Sequence, residues 1–304
     1  MRVVDLFCGA GGFSLGFERA GFEIVLAVDI DEARLRTYEQ NHPDVTVWQE
    51  DILKLDERKL PKCDVLLGST PCASFSIANK TERRTEDMTL TNRFLQIVDR
   101  IKPRWWVLEN VPPVALKLPW TRRPKTLNAA DYGARQIRFR MFAGNYPIPE
   151  LRHRSWPLAK RGSQLIEGRL FSKPLQPWLP VRPILANDEP FLGRRDYPNR
   201  HGESYRSTSL SCWTVTGANR FFAISNIGEF RALTTKELGM IQGFPADYQW
   251  PNRTVAIKAV ADAVNVENAT AIAKAIAANV ESRQIADTET QVLLSVASEG
   301  GPLS

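Results

Sequence analysis

The chain reads as an α/β protein with a largely parallel sheet, joined to a second, smaller and irregular β- or loop-rich domain. Three observations predict this. Short apolar runs alternate with helix-like stretches over the first half. The texture changes abruptly near residue 147. Helical texture then returns near residue 255.

The apolar runs are VVDLF (3–7), IVLAV (24–28), VTVW (45–48), DVLLG (64–68) and WWVLEN (105–110), with FRMFAG (139–144) as a further strand. Helix-like stretches at 13–20, 31–40 and 91–101 lie between several of them. From about 147, segments such as YPIPELRHRSWPLAKRG are rich in Pro, Trp and Arg and lack βα alternation, so 147–228 reads as a separate domain of about 80 residues. Residues 229–254 then form a hinge and return segment. The Ala-, Val- and Ile-rich stretch 255–282 is helical and suits packing back on the first domain, residues 1–146. The remainder, 283–304, has only a weak helix signal and reads as a tail, partly disordered.

The 304 residues carry a net charge of +6, unevenly placed. Residues 1–82 hold 9 Lys and Arg against 14 Asp and Glu, whereas residues 83–140 hold 13 against 5. A basic middle suits a polyanion, against the plainer reading of a solvated surface. Cys8, Cys63, Cys72 and Cys212 are too widely spaced for a disulfide framework or a zinc site, so a reducing cytoplasm and no metal are expected. No apolar run reaches about 18 residues, so no membrane span is expected.

Ligands of open parallel sheets bind beyond the carboxyl ends of the strands, and the chemically informative residues of this chain cluster there. DLFCGAGG follows the first strand, and its glycines allow close backbone approach to a nucleotide-like ligand. Asp29 ends the second strand, where an acid can accept from ribose hydroxyls, and Asp51 follows the third, where it can accept from an adenine amine. Either acid is equally readable as a helix N-cap or surface carboxylate. Cys72 follows the fourth strand and Glu109 ends the fifth, so a thiol and a carboxyl can meet at one rim. Taken singly, Cys72 is an inert small hydrophobe and Glu109 a cap. Arg138 and Arg140 alternate along a strand and would share one face, aimed at the same rim or at surface phosphates and acids.

DLFCGAGGFSLGFERAGF, STPCASFS, ENV, DYGARQIRFR and RALTTKELGMIQGFP occur in this order and at familiar spacing. In them the chain resembles the DNA cytosine-5 methyltransferases of the compact prokaryotic type, over roughly 1–144 and 229–279. The resemblance implies a Rossmann-like S-adenosylmethionine-dependent methyltransferase sheet with a target-recognition domain inserted as the smaller unit. It implies methyl transfer to C5 of a flipped-out cytosine in a specific duplex DNA sequence, through a covalent Cys72 adduct. It places Glu109 on the cytosine N3 and amino group, and Arg140 on O2 with Arg138 in support. It places Phe7, Gly9, Gly11, Asp29, Ile30, Asp51, Ile52, Leu90, Asp262 and Val264 around the cofactor. It further implies a monomer, a cognate restriction endonuclease as functional partner, and a polar loop (77–93) that closes on DNA with Lys80, Arg83 and Arg84.

The sequence departs from the family pattern at Ala73, Arg135, Ala261, Asp262 and Asn265. An RNA cytosine-5 methyltransferase on the same scaffold is the alternative reading, and a non-catalytic nucleic-acid-binding module a third. Within the inserted domain, Arg152, Arg154, Arg194, Arg195, Arg200 and Arg206 are the candidates for reading bases.

Overall fold

The computed structural model describes residues 1–71, 87–154, 165–166, 169–170, 175–185, 187, 189–195, 203–217, 221–251 and 253–299. Its first half alternates strand and helix. The elements are β1 (Arg2–Leu6), α1 (Gly12–Glu18), β2 (Glu23–Asp29), α2 (Glu32–Asn41), β3 (Thr46–Gln49), β4 (Val65–Ser69), α3 (Thr89–Ile101) and β5 (Trp105–Asn110). β6 (Lys125–Asn128) and β7 (Phe139–Asn145) complete a seven-stranded sheet in the order β3-β2-β1-β4-β5-β7-β6. The pairings from β3 through β5 are parallel, while β7 runs antiparallel to both β5 and β6.

The strands are apolar almost without interruption because both faces of this sheet are covered. On one face, Val3, Ile24, Val65, Val107 and Phe142 pack with Phe13 and Phe17 of α1. On the other, Val4, Leu26, Leu66, Leu108 and Met141 pack with Phe94, Leu95, Ile97 and Val98, the buried stripe of α3. Asp31 begins α2 by accepting from the N–H groups of Ala33 and Arg34.

Beyond β7 lie the two-residue strands β8 (His153–Arg154), β9 (Leu165–Ile166), β10 (Arg169–Leu170) and β11 (Gln176–Pro177). A four-stranded antiparallel sheet follows, made of β12 (Phe191–Arg195), β13 (Glu203–Ser207), β14 (Phe221–Ile224) and β15 (Phe230–Ala232), in the order β13-β12-β14-β15. Its inner face builds a second core from Leu192, Phe221 and Ala223 with Val181, Leu233 and Leu238. β15 lies beyond residue 228, so the chain leaves this sheet only after Ala232.

Three helices end the chain: α4 (Thr235–Gln242), α5 (Arg253–Asp262) and α6 (Val266–Glu299). The helical texture at 255–282 therefore divides in two. Val260 and Ala261 of α5 join the second core, whereas Ala269, Ile272, Ala273 and Ile276 of α6 pack on the large sheet. The break has a local cause. The Asn265 side chain accepts from the N–H groups of Glu267 and Asn268 (3.1 and 3.3 Å), which makes it the N-cap of α6. Contrary to the expectation of a weakly helical tail, α6 continues to Glu299, 34 residues in all. Residues 281–288 of it are exposed, so the helix outlasts its packing. No helix among the described residues is long and apolar enough to cross a membrane.

α1 crosses α6 closely because Gly16 lies at the contact. A Cβ there would fall on the Ala269 methyl and only 2.8 Å from the Thr270 nitrogen. Gly16→Ala is expected to destabilise the fold by about 1–3 kcal/mol through overpacking. Urea denaturation reads this, and an unchanged midpoint would refute the close crossing.

Asp5 is fully buried in β1, with Oδ2 accepting from the Ser14 hydroxyl at 2.6 Å. Burial pushes its carboxyl up to about 7, partly offset by the Ser14 bond. The raised value means that the folded state holds its proton where the unfolded chain, titrating near ~3.9, has lost it. Stability from this group is therefore full below about pH 4 and lost as pH rises through about 7. Asp5→Asn should flatten that loss, which is at most about 4 kcal/mol for a shift of this size. Denaturation curves of both proteins at pH 5 and pH 8 check it; equal slopes would be the contrary result.

Candidate active site

The carboxyl ends of β1, β2, β3, β4 and β5 share one rim, and the order of the sheet reverses between β1 and β4, the usual binding crevice of such folds. Immediately after β1 the backbone enters the left-handed region at Phe7 (φ 62°), Gly9 (φ 54°) and Gly11 (φ 86°). Phe7 carries a side chain there, so its conformation is strained and must be held by its surroundings. The Ser69 hydroxyl, from the end of β4, donates to the Phe7 carbonyl at 2.9 Å. Gly9 N–H donates to Asp29 Oδ2 at 2.9 Å. A Cβ built on Gly9 would meet nothing within 4 Å, so this glycine borders open space.

The Asp29 carboxylate is thus part of the turn. Its other oxygen accepts from Asp31 N–H at 2.9 Å, and the residue is only 8% exposed. Each oxygen retains a lone pair for a further donor. Beside it Ile30 is 64% exposed, an apolar side chain left uncovered at the rim. Asp51 caps the turn after β3, accepting from Leu53 N–H at 3.0 Å. Ile52 is buried in the core beneath, with its carbonyl accepting from Arg93. Leu90 is half-buried in the first turn of α3. Val264 is buried between α5 and α6, and its carbonyl abuts Gly12 so closely that a Cβ there would collide with it. Asp262 is exposed and ion-paired to Arg34 at 2.7 Å.

Around the fifth strand end the site is charged. Ser69 pairs with Glu109 in the β4–β5 register. Glu109 is 5% exposed, and Arg140 on β7 places its Nε 3.3 Å from Glu109 Oε1. Burial raises the Glu109 carboxyl above its usual value; the Arg140 and Arg138 guanidinium groups oppose this, and Asp262 adds to it. The next residue, Asn110, is 1% exposed and was not singled out from sequence, although it lies within ENV. Its amide donates to the Thr70 carbonyl (3.1 Å) and hydroxyl (2.8 Å), which fixes the turn leading to Pro71. Cys72, together with Ala73, Lys80, Arg83 and Arg84, lies outside the described residues.

Arg138 differs from the expectation that it would share a strand face with Arg140. β7 begins only at Phe139, so strand alternation does not reach back to residue 138. The Arg138 side chain is instead 1% exposed and donates to the carbonyls of Val215 (3.2 Å), Ala261 (2.6 Å) and Ala263 (3.2 Å). Near it, Gln136 donates to Ile241 O and to the Gln242 side chain, while Gln242 donates to Ala263 O. Arg135, where the family has proline, donates to Pro180 O.

In the smaller sheet, Arg194 and Arg206 both lie over the Trp213 ring, 5.2 and 4.7 Å from its centre. Arg206 also donates to Ser211 O, and Arg154 lies 3.9 Å from Asp131. The Arg195 side chain and Arg200 lie outside the described residues.

Comparison with known proteins agrees with this arrangement. The family model for C-5 cytosine-specific DNA methylase matches residues 1–146 and 193–278. The Type II methyltransferase M.HgiDI of Herpetosiphon aurantiacus is 30% identical over 82% of this chain and 85% of its own. M.HindV of Haemophilus influenzae, another Type II methyltransferase, is 30% identical over 91% of this chain and 96% of its own. In fold, the chain is similar to the crystal structure of a mutant DNMT2 of Spodoptera frugiperda (TM-score 0.66, 18% identity, 90% of this chain and 99% of that one). It is likewise similar to that of the S. pombe Dnmt2 methyltransferase (TM-score 0.63, 16% identity, 92% and 99%). The sheet with its reversed fifth–seventh strand pairing, the rim geometry and these matches lead to one conclusion: the chain belongs to the C-5 cytosine-specific DNA methylase family and is a DNA cytosine-5 methyltransferase.

Proposed function

We propose that this rim binds S-adenosylmethionine and a cytosine flipped from duplex DNA, and that Cys72, Glu109 and Arg140 carry out the transfer. The observation that carries the reading is the Glu109–Arg140 pair, a buried carboxyl and a guanidinium 3.3 Å apart at the end of β5. Cys72 is the second residue after Thr70, whose carbonyl Asn110 holds beside that pair.

The cofactor side of the reading rests on fit. Open space in front of Gly9 admits a ligand against the backbone, the carboxylates of Asp29 and Asp51 suit ribose hydroxyls and an adenine amine, and exposed Ile30 offers an apolar face. Phe7 and Gly11 shape the turn itself, Ile52 and Val264 pack beneath it and beside α1, Leu90 is half-buried in the first turn of α3, and Asp262 is ion-paired to Arg34. When bound, S-adenosylmethionine supplies the electrophilic methyl group.

The protein's own groups do the rest. Cytosine C5 is a poor nucleophile until the Cys72 thiolate adds to C6, which makes C5 enamine-like. Negative charge then develops over the ring. Burial shifts the Glu109 carboxyl toward its protonated form, which suits a proton shared with N3, and Arg140 holds O2. Release requires transfer of the C5 proton to a base, departure of the thiolate from C6, and return of the N3 proton to the Glu109 carboxylate. The other three cysteines are poor candidates for that role: burial pushes the Cys63 thiol up to about 11 and Cys212 to about 12, and drives Cys8 well above its ordinary value.

The domain division supports a separation of labour. Residues 1–146 and the part of α6 packed on the large sheet hold the chemistry, while the inserted domain, which runs through β15 to Ala232, selects the sequence, and the α4 segment joins them. The paired Arg194 and Arg206 are held on Trp213 at that domain's surface sheet. Relatives are Type II enzymes, and a cognate restriction endonuclease is the corresponding functional partner here.

A duplex carrying 5-fluorocytosine at the target tests the nucleophile, because fluorine cannot leave as a proton. It should be trapped on the protein only when S-adenosylmethionine is present. Cys72→Ser should abolish trapping, and substitutions at Cys8, Cys63 or Cys212 should not. A denaturation-resistant adduct in Cys72→Ser would disprove the assignment, and trapping on tRNA in place of duplex DNA would move the substrate to RNA.

Arg140→Ala should lower the single-turnover methylation rate by about 10²–10³ while leaving DNA affinity nearly intact, since a preorganised donor acts where charge develops. Equal losses in rate and in DNA binding would make it a phosphate contact.

A further inference from the structure

The turn between β1 and α1 is gripped from a part of the chain that the sequence motifs do not connect with the cofactor. The Tyr248 hydroxyl, beyond α4, donates to the Ala10 carbonyl, 238 residues away in sequence. Tyr248 is 7% exposed, and burial lifts its phenol well above the ordinary value, so it keeps the proton that it donates. Its ring packs against Phe244 (4.6 Å between centres) and Trp250 (5.0 Å).

The hydroxyl is itself held. His42 Nε2 lies 3.2 Å from the Tyr248 oxygen, and His42 Nδ1 lies 2.9 Å from the Glu18 carboxylate. The Tyr248 oxygen thus sits between the Ala10 carbonyl and the His42 ring, which is itself anchored on Glu18. His42 stacks on Tyr38 at 4.3 Å between ring centres, and Tyr38 donates to the Ser14 hydroxyl. Next in the chain, Asn41 and Gln249 exchange two bonds: the Asn41 amide donates to Gln249 O, and Gln249 N–H donates to Asn41 Oδ1. The fit against the turn is close, since a Cβ on Gly11 would strike His42 Nε2 and lie 2.9 Å from the Tyr248 hydroxyl.

We propose that Tyr248, oriented by His42 and Glu18, is a positioning residue for cofactor binding, fixing the Ala10 carbonyl and through it the strained Phe7–Gly11 turn. The other grips on this turn come from neighbouring strand ends: Cys8 N–H to Val28 O, Gly9 N–H to Asp29, and the Ser69 hydroxyl to Phe7 O. Those bonds restrain its β-sheet side. The Tyr248 bond restrains the side facing α2 and α4, so the turn is over-determined as a strained backbone must be. Without it the Gly9–Gly11 backbone can relax between left-handed and other conformations, which glycine permits readily. The cofactor would then have to order the turn on binding.

This rests on the reading that the turn holds S-adenosylmethionine, and the experiment separates the two. Calorimetry on the wild-type protein without DNA measures its dissociation constant for S-adenosylmethionine; absence of binding would sink that reading itself. Tyr248→Phe keeps the ring packing and removes only the hydroxyl. Its dissociation constant should rise about fivefold to tenfold, the size of one lost hydrogen bond. Its methylation rate at saturating cofactor and DNA should be unchanged, and the ligand-free protein should melt within a few degrees of wild type. An unchanged dissociation constant overturns the proposal. Should Tyr248→Phe melt much earlier, Trp250→Phe, which loosens the same aromatic cluster without touching Ala10, is the comparison: an equal loss of cofactor affinity in it overturns the proposal, and retained affinity upholds it.

Discussion

A single buried guanidinium organises the molecule. Arg138 is 1% exposed and donates to carbonyls from two places: Val215 in the connection between β13 and β14 of the small sheet, and Ala261 and Ala263 at the α5–α6 junction. A buried cation left without partners would cost several kcal/mol, so these carbonyls must converge on it in any folded state. Its own N–H donates to Asn128 at the end of β6, which fixes where β7 begins. The register of β7 then follows, and with it the placement of Arg140 against Glu109. One constraint thereby joins both cores and aims the charged pair at the rim.

The neighbouring amides extend the same logic. Gln136 accepts from Val215 N–H and donates to Ile241 O and to Gln242, Gln242 donates to Ala263 O, and Asn265 donates to Gln242 O. Each amide is buried and uses donors and acceptors together, so no segment can shift alone without orphaning a partner. The small sheet is therefore anchored through its own backbone at Val215 to the Gln136 and Arg138 side chains of the catalytic half, a connection independent of the residues that its outer surface carries. This lets the inserted domain vary in surface sequence while the arginine strand keeps its place.

Much of this was legible in the sequence because parallel strands buried on both faces leave unbroken apolar runs, and because strand ends must share a rim. That is why strand order alone puts Glu109, Asp29 and the glycine turn at one rim. β6 escaped notice because KTLN is four residues long and half of it is exposed, so it carries no periodic signal. Arg138 was misdirected by extending strand alternation one residue past the true start of β7. The Asn265 cap looked like a lapse from a proline-containing pattern, whereas asparagine does the N-capping there through its side chain. Tyr248 and Ala10 are too far apart in sequence for any local rule to pair them.

The electrostatics of Glu109 follow from the same architecture. A carboxyl at the end of a central strand is desolvated from both faces, and burial is the largest influence on its proton. Both guanidinium groups pull the carboxyl down, Arg140 more than Arg138. Arg138 is committed to carbonyls, Arg140 approaches along one side at 3.3 Å, and Asp262 adds a repulsive charge. The balance leaves the carboxyl above its ordinary value while a guanidinium remains within reach. A desolvated acid beside a guanidinium presents two unlike groups at one rim, an arrangement suited to adjacent polar atoms of a ring. The buried strut that locks the two domains together thus also places the guanidinium that opposes the desolvation of Glu109.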